Sequence, residues 1–195
     1  MQALLKKKSR QGSGMETMTD GSEDLWVFGY GSLMWRPGFP FVERRHAHLY
    51  GYHRALCVLS HVHRGTPDNP GLVLGLDRGG RCHGVAFRVA KEEAAVTVHY
   101  LREREQATSV YLERHLPVRL DDGRAVTALG YVADRRHEQY AGSLSFEEVL
   151  ALVRQGKGIS GANPDYVRST HEHLLGMGVV DPLMQRIVAA LDQEA

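Results

Sequence analysis

Glu105 is the side chain whose position asks most directly for a chemical reason. Ala94, Val98 and Leu101 recur at spacings of four and three, so on a helix they share one face. Glu105 is the next position on that face, while Arg102, Glu103 and Arg104 lie away from it. A carboxylate at the end of an apolar stripe reaches out to solvent, pairs with a cation, or is kept for chemistry. Burial raises a carboxylate's pKa, which suits it to moving protons near neutral pH. Structural ion pairs are common at such positions too, so periodicity leaves these readings side by side.

A second constellation lies at "LWVFGYGSLMW", residues 25–35, where an apolar run breaks into Gly29-Tyr30-Gly31-Ser32. It is no dinucleotide fingerprint, because no third glycine and helix follow, and no P-loop, because no Gly-Lys-Ser/Thr follows. Two readings stay open: a plain turn, or a tight loop whose backbone N–H groups converge on a small anion such as a carboxylate. The 11 histidines include three pairs two residues apart: His46/His48, His61/His63 and His171/His173. Such pairs share a face on a strand but not on a helix, and no HExxH or Cys/His metal pattern appears. No metal is expected. Cys57 sits in an apolar stretch with no evident paired base and reads as a small buried hydrophobe. Trp26, Trp35 and Tyr52 read as core or pocket wall.

These residues have to be carried on elements. Leu25 to Phe28 reads as a strand, and residues 48–60 as one or two more. "HVHRGTPDNPG" reads as a loop. Residues 72–76 and 82–89 read as strands flanking "DRGG", a hairpin turn by composition. Residues 91–106 read as a helix, with Glu92 and Glu93 at its positive end. "LPVRL" and "AVTALGYVA" flank a second hairpin at "DDGR". A third part is helical: one helix is capped by Ser145 with Glu148 three residues on and stops at Gly156. Two more run near 164–176 and 181–192, the last with a Leu183, Ile187, Leu191 stripe. Strands first and helices later predict an α+β fold with a mainly antiparallel or mixed sheet that can curl into a barrel.

The chain's 195 residues suffice for one domain with a real core. Hydrophobic residues make up 43% and charged residues 24%, a globular composition. A net charge of +1 argues against a nucleic-acid partner recruited by overall charge. No apolar run approaches the roughly 18 residues of a membrane span. Cys57 and Cys82 suit a reducing cytoplasm better than a disulfide scaffold. Residues 1–24 carry a basic cluster and then polar and glycine residues, and are expected to be a flexible tail ahead of a single domain from 25 to 195.

"VFGYGSLMW" resembles the N-terminal signature of the ChaC-type γ-glutamylcyclotransferases. The likeness continues through "HRGTPDNPG" (63–71) and "YLREREQ" (100–106) and closes with "SGANPDY" (160–166), covering about 25–190. The resemblance implies a small mixed β-barrel with flanking helices. It implies conversion of glutathione, a small-molecule substrate, into 5-oxoproline and cysteinylglycine, with no metal or cofactor. It places the catalytic carboxylate on Glu105, the substrate loop on Gly29, Tyr30, Gly31, Ser32, Leu33 and Met34, and a further site tyrosine on Tyr166. One departure stands out: "QATSVY" follows Glu105 where many members carry glycines and then a tyrosine, so the local shape behind the glutamate is expected to differ. Two alternatives accompany this reading, a non-catalytic binding protein on the same fold and a cyclotransferase for other γ-glutamyl amides.

Overall fold

The computed structural model describes residues 24–105 and 109–193. Its strands are β1 (Leu25–Gly29), β2 (Glu43–Ser60), β3 (Gly71–Val89), β4 (Tyr111–Leu120), β5 (Ala125–Ala133) and a two-residue pair, β6 (Lys157–Gly158) with β7 (Gly161–Ala162). Its helices are α1 (Lys91–Glu105), α2 (Phe146–Gln155), α3 (Asn163–Gly176) and α4 (Pro182–Asp192). The first five strands form a closed barrel in the order β1-β3-β2-β4-β5. Neighbours are antiparallel except at the closure, where β1 runs parallel to β5 through Trp26–Ala128 and Val27–Leu129. The small mixed barrel with flanking helices is therefore the observed fold. Closure leaves the barrel without the unpaired edge that an open sheet presents.

One expected hairpin is absent. β2 and β3 pair from Glu43–Arg88 to Ser60–Gly71, so "DRGG" lies in the middle of one 19-residue strand. The register shifts between Tyr50 and Tyr52, where Gly51 faces Gly79 and Gly80. All three glycines have positive φ, at 84°, 98° and 67°. Glycine adopts such angles without a Cβ clash, and here it serves a bulge that bends a long ribbon rather than a reversal. The real reversal is the loop between Ser60 and Gly71. The "DDGR" hairpin joins β4 to β5 as expected, and "48–60" proves to be one strand that begins earlier, at Glu43.

The helices follow their local signals. Ser145 and Glu148 form the reciprocal capping box of α2. Asp181 caps α4 by accepting from Leu183 and Met184 N–H. The buried stripe of α4 is Met184, Ile187 and Leu191, with Leu183 half-buried beside it. Barrel residues Phe28, Leu49, Leu72 and Leu76 form one core with Val149, Val153 and Ile187 from the helices. On the other side of the wall, Val27, Phe87 and Leu129 pack with Leu101 of α1 and Leu174 of α3. Of the expected tail, residues 1–23 lie outside the described residues. Asp24 is already tied down, accepting from Arg88 at 3.0 Å and from the Lys91 N–H at 3.2 Å.

Asn163 joins the helical layer to the barrel. Its side chain is fully buried, accepts from the Leu72 N–H at 2.6 Å and donates to the Leu72 carbonyl at 2.9 Å. Asn163→Ala strands two buried backbone groups and should cost about 2–4 kcal/mol. Urea unfolding should show a lower midpoint with an unchanged slope.

Candidate active site

Leaving β1, the chain passes Gly29 and Tyr30 and enters a single 3-10 turn, Ser32–Met34. The turn is held by Met34 N–H donating to Gly31 and Arg36 N–H donating to Ser32, both at 2.8 Å. Leu33 and Met34 point into the core. Gly31 has φ −131° and ψ −132°, and a Cβ there would meet only Leu74 Cδ1, at 3.6 Å. Its lack of a side chain therefore keeps space open. At Gly29 a Cβ would crowd Leu33 Cβ at 3.0 Å, so this glycine lets the turn fold back on its own strand.

Two arginines bolt this loop from opposite sides. Arg54, on β2, is 6% exposed; it donates to the Tyr30 carbonyl at 2.6 Å and the His83 carbonyl at 2.7 Å, and lies 3.8 Å from Asp181. Arg104, on α1, donates to Ser32 Oγ, the Arg36 carbonyl and Tyr100 Oη, each at 2.8 Å. Helical periodicity put Arg104 away from the buried stripe. Its long side chain instead reaches back across the last turn of α1, and its Nε lies 3.3 Å from Glu105 Oε1. Thr97 and Leu101 are the most buried residues of α1, with Ala94 and Val98 half-buried, so the expected stripe is present and Glu105 closes it.

Glu105 has a side chain 18% exposed. Burial raises its carboxyl above the usual carboxylate range, and the Arg104 charge opposes that only in part. Three buried phenols share its surroundings: Tyr30, Tyr111 and Tyr166. All three are pushed up, chiefly by burial, with the Glu105 charge adding to each. These four side chains, with Gly31, Ser32, Leu33 and Leu74, line a small pocket of about 90 Å³. It adjoins a wider chamber of about 790 Å³ that also reaches Glu105, Tyr111 and Tyr166. Thus Tyr30, Gly31, Ser32, Leu33, Glu105 and Tyr166 meet as expected. Gly29 and Met34 do not reach the pocket and act by shaping the turn.

The phenols differ in what they can still do. Tyr111 O–H donates to the Leu74 carbonyl at 2.7 Å, so its proton is committed. Tyr166 Oη accepts from the Leu74 N–H at 3.2 Å. Tyr111, Arg54 and Arg104 were not singled out as site residues by sequence. Tyr111 ends the segment that departs from the family pattern, whose residues 106–108 lie outside those described, and the fold returns it to the pocket at the start of β4.

Histidine placement follows the strand rule. His46 and His48 both face His83, with ring centroids 5.3 and 4.6 Å away. His63 bonds Ser160 Oγ at 2.9 Å, and His173 stacks on Trp35. Among the described residues no group of three or more His, Cys, Asp or Glu side chains is arranged to hold a metal ion. Cys57 is buried, which raises its thiol to about 12, too high for a nucleophile at neutral pH.

A closed mixed five-stranded barrel with flanking helices is the γ-glutamylcyclotransferase-like fold. A yeast γ-glutamyl cyclotransferase specific to glutathione superposes with a TM-score of 0.79 at 22% identity, over 87% of this chain and 96% of that one. The family model described as "ChaC-like protein" matches residues 25–194, and the chain belongs to that family. The glutathione-specific gamma-glutamylcyclotransferase of Escherichia coli (strain K12) is 38% identical over 80% of this chain and 68% of its own length. Glutathione-specific gamma-glutamylcyclotransferase 1 of Mus musculus is 32% identical over 92% and 83%.

The raised Glu105 carboxyl has a stability consequence. The folded state holds the proton more tightly than the unfolded chain, so this group's contribution is complete at low pH and is lost as pH rises through the folded value. Glu105→Gln removes that loss. Its melting temperature should exceed that of the parent at pH 7–8, and the gain should vanish towards pH 4, as read by calorimetric scans across that range.

Proposed function

We infer that this protein is a γ-glutamylcyclotransferase that cleaves glutathione to 5-oxoproline and cysteinylglycine, with Glu105 as the group that moves the proton. The observation that carries the role of Glu105 is its burial in a pocket shared with the Gly31–Leu33 loop and three phenols. Relatives named for the glutathione-specific activity match over most of the chain. A binding-only protein would have no use for a buried carboxylate held at a cost in desolvation, and this favours the enzyme over the non-catalytic alternative.

The substrate carries its own nucleophile, the α-amine. Glu105 takes a proton from the ammonium, the neutral amine attacks the γ-carbonyl carbon, and a five-membered ring closes. The bond to the cysteinyl nitrogen then breaks as Glu105 returns a proton to that nitrogen, and the second proton left on the ring nitrogen passes through the same carboxylate to the departing amine, giving the neutral lactam. The attack is intramolecular, so the chemistry as drawn uses no metal or cofactor. Main-chain N–H groups at the start of the 3-10 turn lack partners within it and suit the α-carboxylate, fixing the amine in line with the carbonyl. Tyr166, whose hydroxyl accepts from the Leu74 N–H, is the phenol that fits the developing oxyanion; Tyr111, already donating to Leu74, orients the wall. The substrate and the two buried thiols fit a cytoplasmic protein whose working unit is the domain after the N-terminal segment. No described helix is long and apolar enough to cross a membrane.

Two variants test this. Glu105→Gln should lower 5-oxoproline release from glutathione by about 10²–10⁴-fold; near-parental release would sink the assignment. Gly31→Val should fill the small pocket; its Cβ meets only Leu74 Cδ1, at 3.6 Å, and a melting curve of the variant checks that it folds. Calorimetry on the Glu105→Gln background should show glutathione binding weakened at least about tenfold, the scale of one displaced polar contact. Unchanged affinity would mean that the carboxylate is held elsewhere.

A further inference from the structure

The wide chamber beyond the small pocket contains a guanidinium that the mechanism above does not use. Arg64 sits in the loop between β2 and β3, half-buried, with its Cζ 5.4 Å from the centroid of the Tyr166 ring. Among the described residues its side chain makes one hydrogen bond, a long one from Nη1 to the Ala162 carbonyl at 3.3 Å. Among the described residues no ion pair involves it; Asp165, which lines the same chamber, lies 4.0 Å from Arg168 instead. Arginine presents five donors in a planar fork matched to a carboxylate. A half-buried guanidinium with most of that fork unspent, facing a chamber shared with Glu105, is suited to an anionic ligand.

The backbone around Arg64 is unusually constrained. A Cβ on Gly65 would strike the Gly71 nitrogen and the Ser60 carbonyl; one on Gly71 or Gly156 would strike the Arg64 carbonyl. One on Gly158 would strike the Val62 carbonyl. Ser60 Oγ accepts from the Arg64 N–H at 2.9 Å. These glycines come from two separate stretches, 65–71 and 156–158, and both converge on residues 62–65. Close packing of this kind removes freedom from the loop and aims the Arg64 side chain from a fixed base, which is what recognition of a ligand group at a set distance needs.

We propose that Arg64 is the counter-ion for the far carboxylate of the substrate, that of the glycyl residue in the departing peptide, and so sets the preference for glutathione over γ-glutamyl amides that lack this group. The proposal rests on the cyclotransfer reading. With the γ-glutamyl end in the small pocket, the rest of the tripeptide extends into the chamber. Its two remaining residues, about 3.8 Å apart from Cα to Cα, carry the terminal carboxylate away from Glu105. Arg64 thereby acts in binding and orientation and takes no part in moving protons.

The test compares glutathione with its glycyl C-terminal amide, reading 5-oxoproline from the parent, Arg64→Gln and Arg64→Lys. The parent should prefer the free acid by about 30- to 100-fold in kcat/KM, the scale of a charge-assisted contact. Arg64→Gln should bring that preference to within about threefold, mainly by raising KM for the acid, with a much smaller change for the amide. Arg64→Lys, which keeps the charge without the fork, should fall between. A parent that turns over both substrates equally well overturns the proposal and leaves the cyclotransfer reading intact. So does an Arg64→Gln enzyme that keeps the preference, or one that loses both activities alike as a purely structural residue would. If Arg64→Gln fails to fold, the parent's preference and the Arg64→Lys ratio decide it. No 5-oxoproline from either substrate with the parent protein would overturn the reading and the proposal together.

Discussion

A carboxylate held largely away from water, in a pocket between a helix end and the barrel strands, is the constraint on which the rest of this structure turns. Glu105 ends an apolar helical stripe, and its pocket is lined by phenols, Ser32 and apolar side chains, with one flanking guanidinium. Desolvation disfavours its ionised form. The molecule tolerates this because the neighbouring arginine restores only part of the lost solvation, so the proton affinity stays above that of a surface glutamate. A stronger ion pair would bury the group more cheaply and leave it a poorer base.

The loop facing Glu105 has to be equally well fixed, and its own sequence is poor in means to fix it. Two glycines and a single 3-10 turn carry little intrinsic order. Rigidity arrives from outside, through guanidinium-to-carbonyl bonds that reach across the fold. Arg54 holds the turn at Tyr30 from the barrel wall, and Arg104 holds Ser32 and Arg36 from the helix. Because Arg104 touches both Ser32 and Glu105, one side chain sets the distance between the loop and the carboxylate. Each such bond to a charged donor is stronger than a neutral one, and in a partly buried setting it is little screened.

The remaining wall depends on close main-chain contact between stretches remote in sequence. Asn163 grips both backbone groups of Leu72, and Tyr111 and Tyr166 grip those of Leu74 from opposite sides. The start of β3 is thus satisfied by side chains where it has no second strand neighbour. This is why "HRGTPDNPG" and "SGANPDY", about 90 residues apart, act as one unit: glycines in both regions allow backbones to approach where any Cβ would collide.

The parts legible from sequence were those whose cause is local. The capping box at Ser145, the stop at Gly156, the "DDGR" hairpin and the α1 stripe each lie within a few residues of the signal that announces them, and each is present. Glu105 was legible for the same reason, since helical spacing alone put it at the end of that stripe. What the sequence left open was decided by pairing over distance. "DRGG" has turn composition, yet β2 lies alongside it, and the cross-strand ladder turns its glycines into a bulge. Arg104 looked exposed because periodicity describes where a Cα sits on one helix, whereas a long side chain goes where acceptors are, here Ser32, 72 positions away. Tyr111 entered the pocket because barrel closure brings the start of β4 beside Leu74, 37 positions away. Local propensity acts through neighbours along the chain, and a pocket is made of neighbours in space, so the place of Glu105 could be read from the sequence while the groups that hold and surround it required the closed barrel.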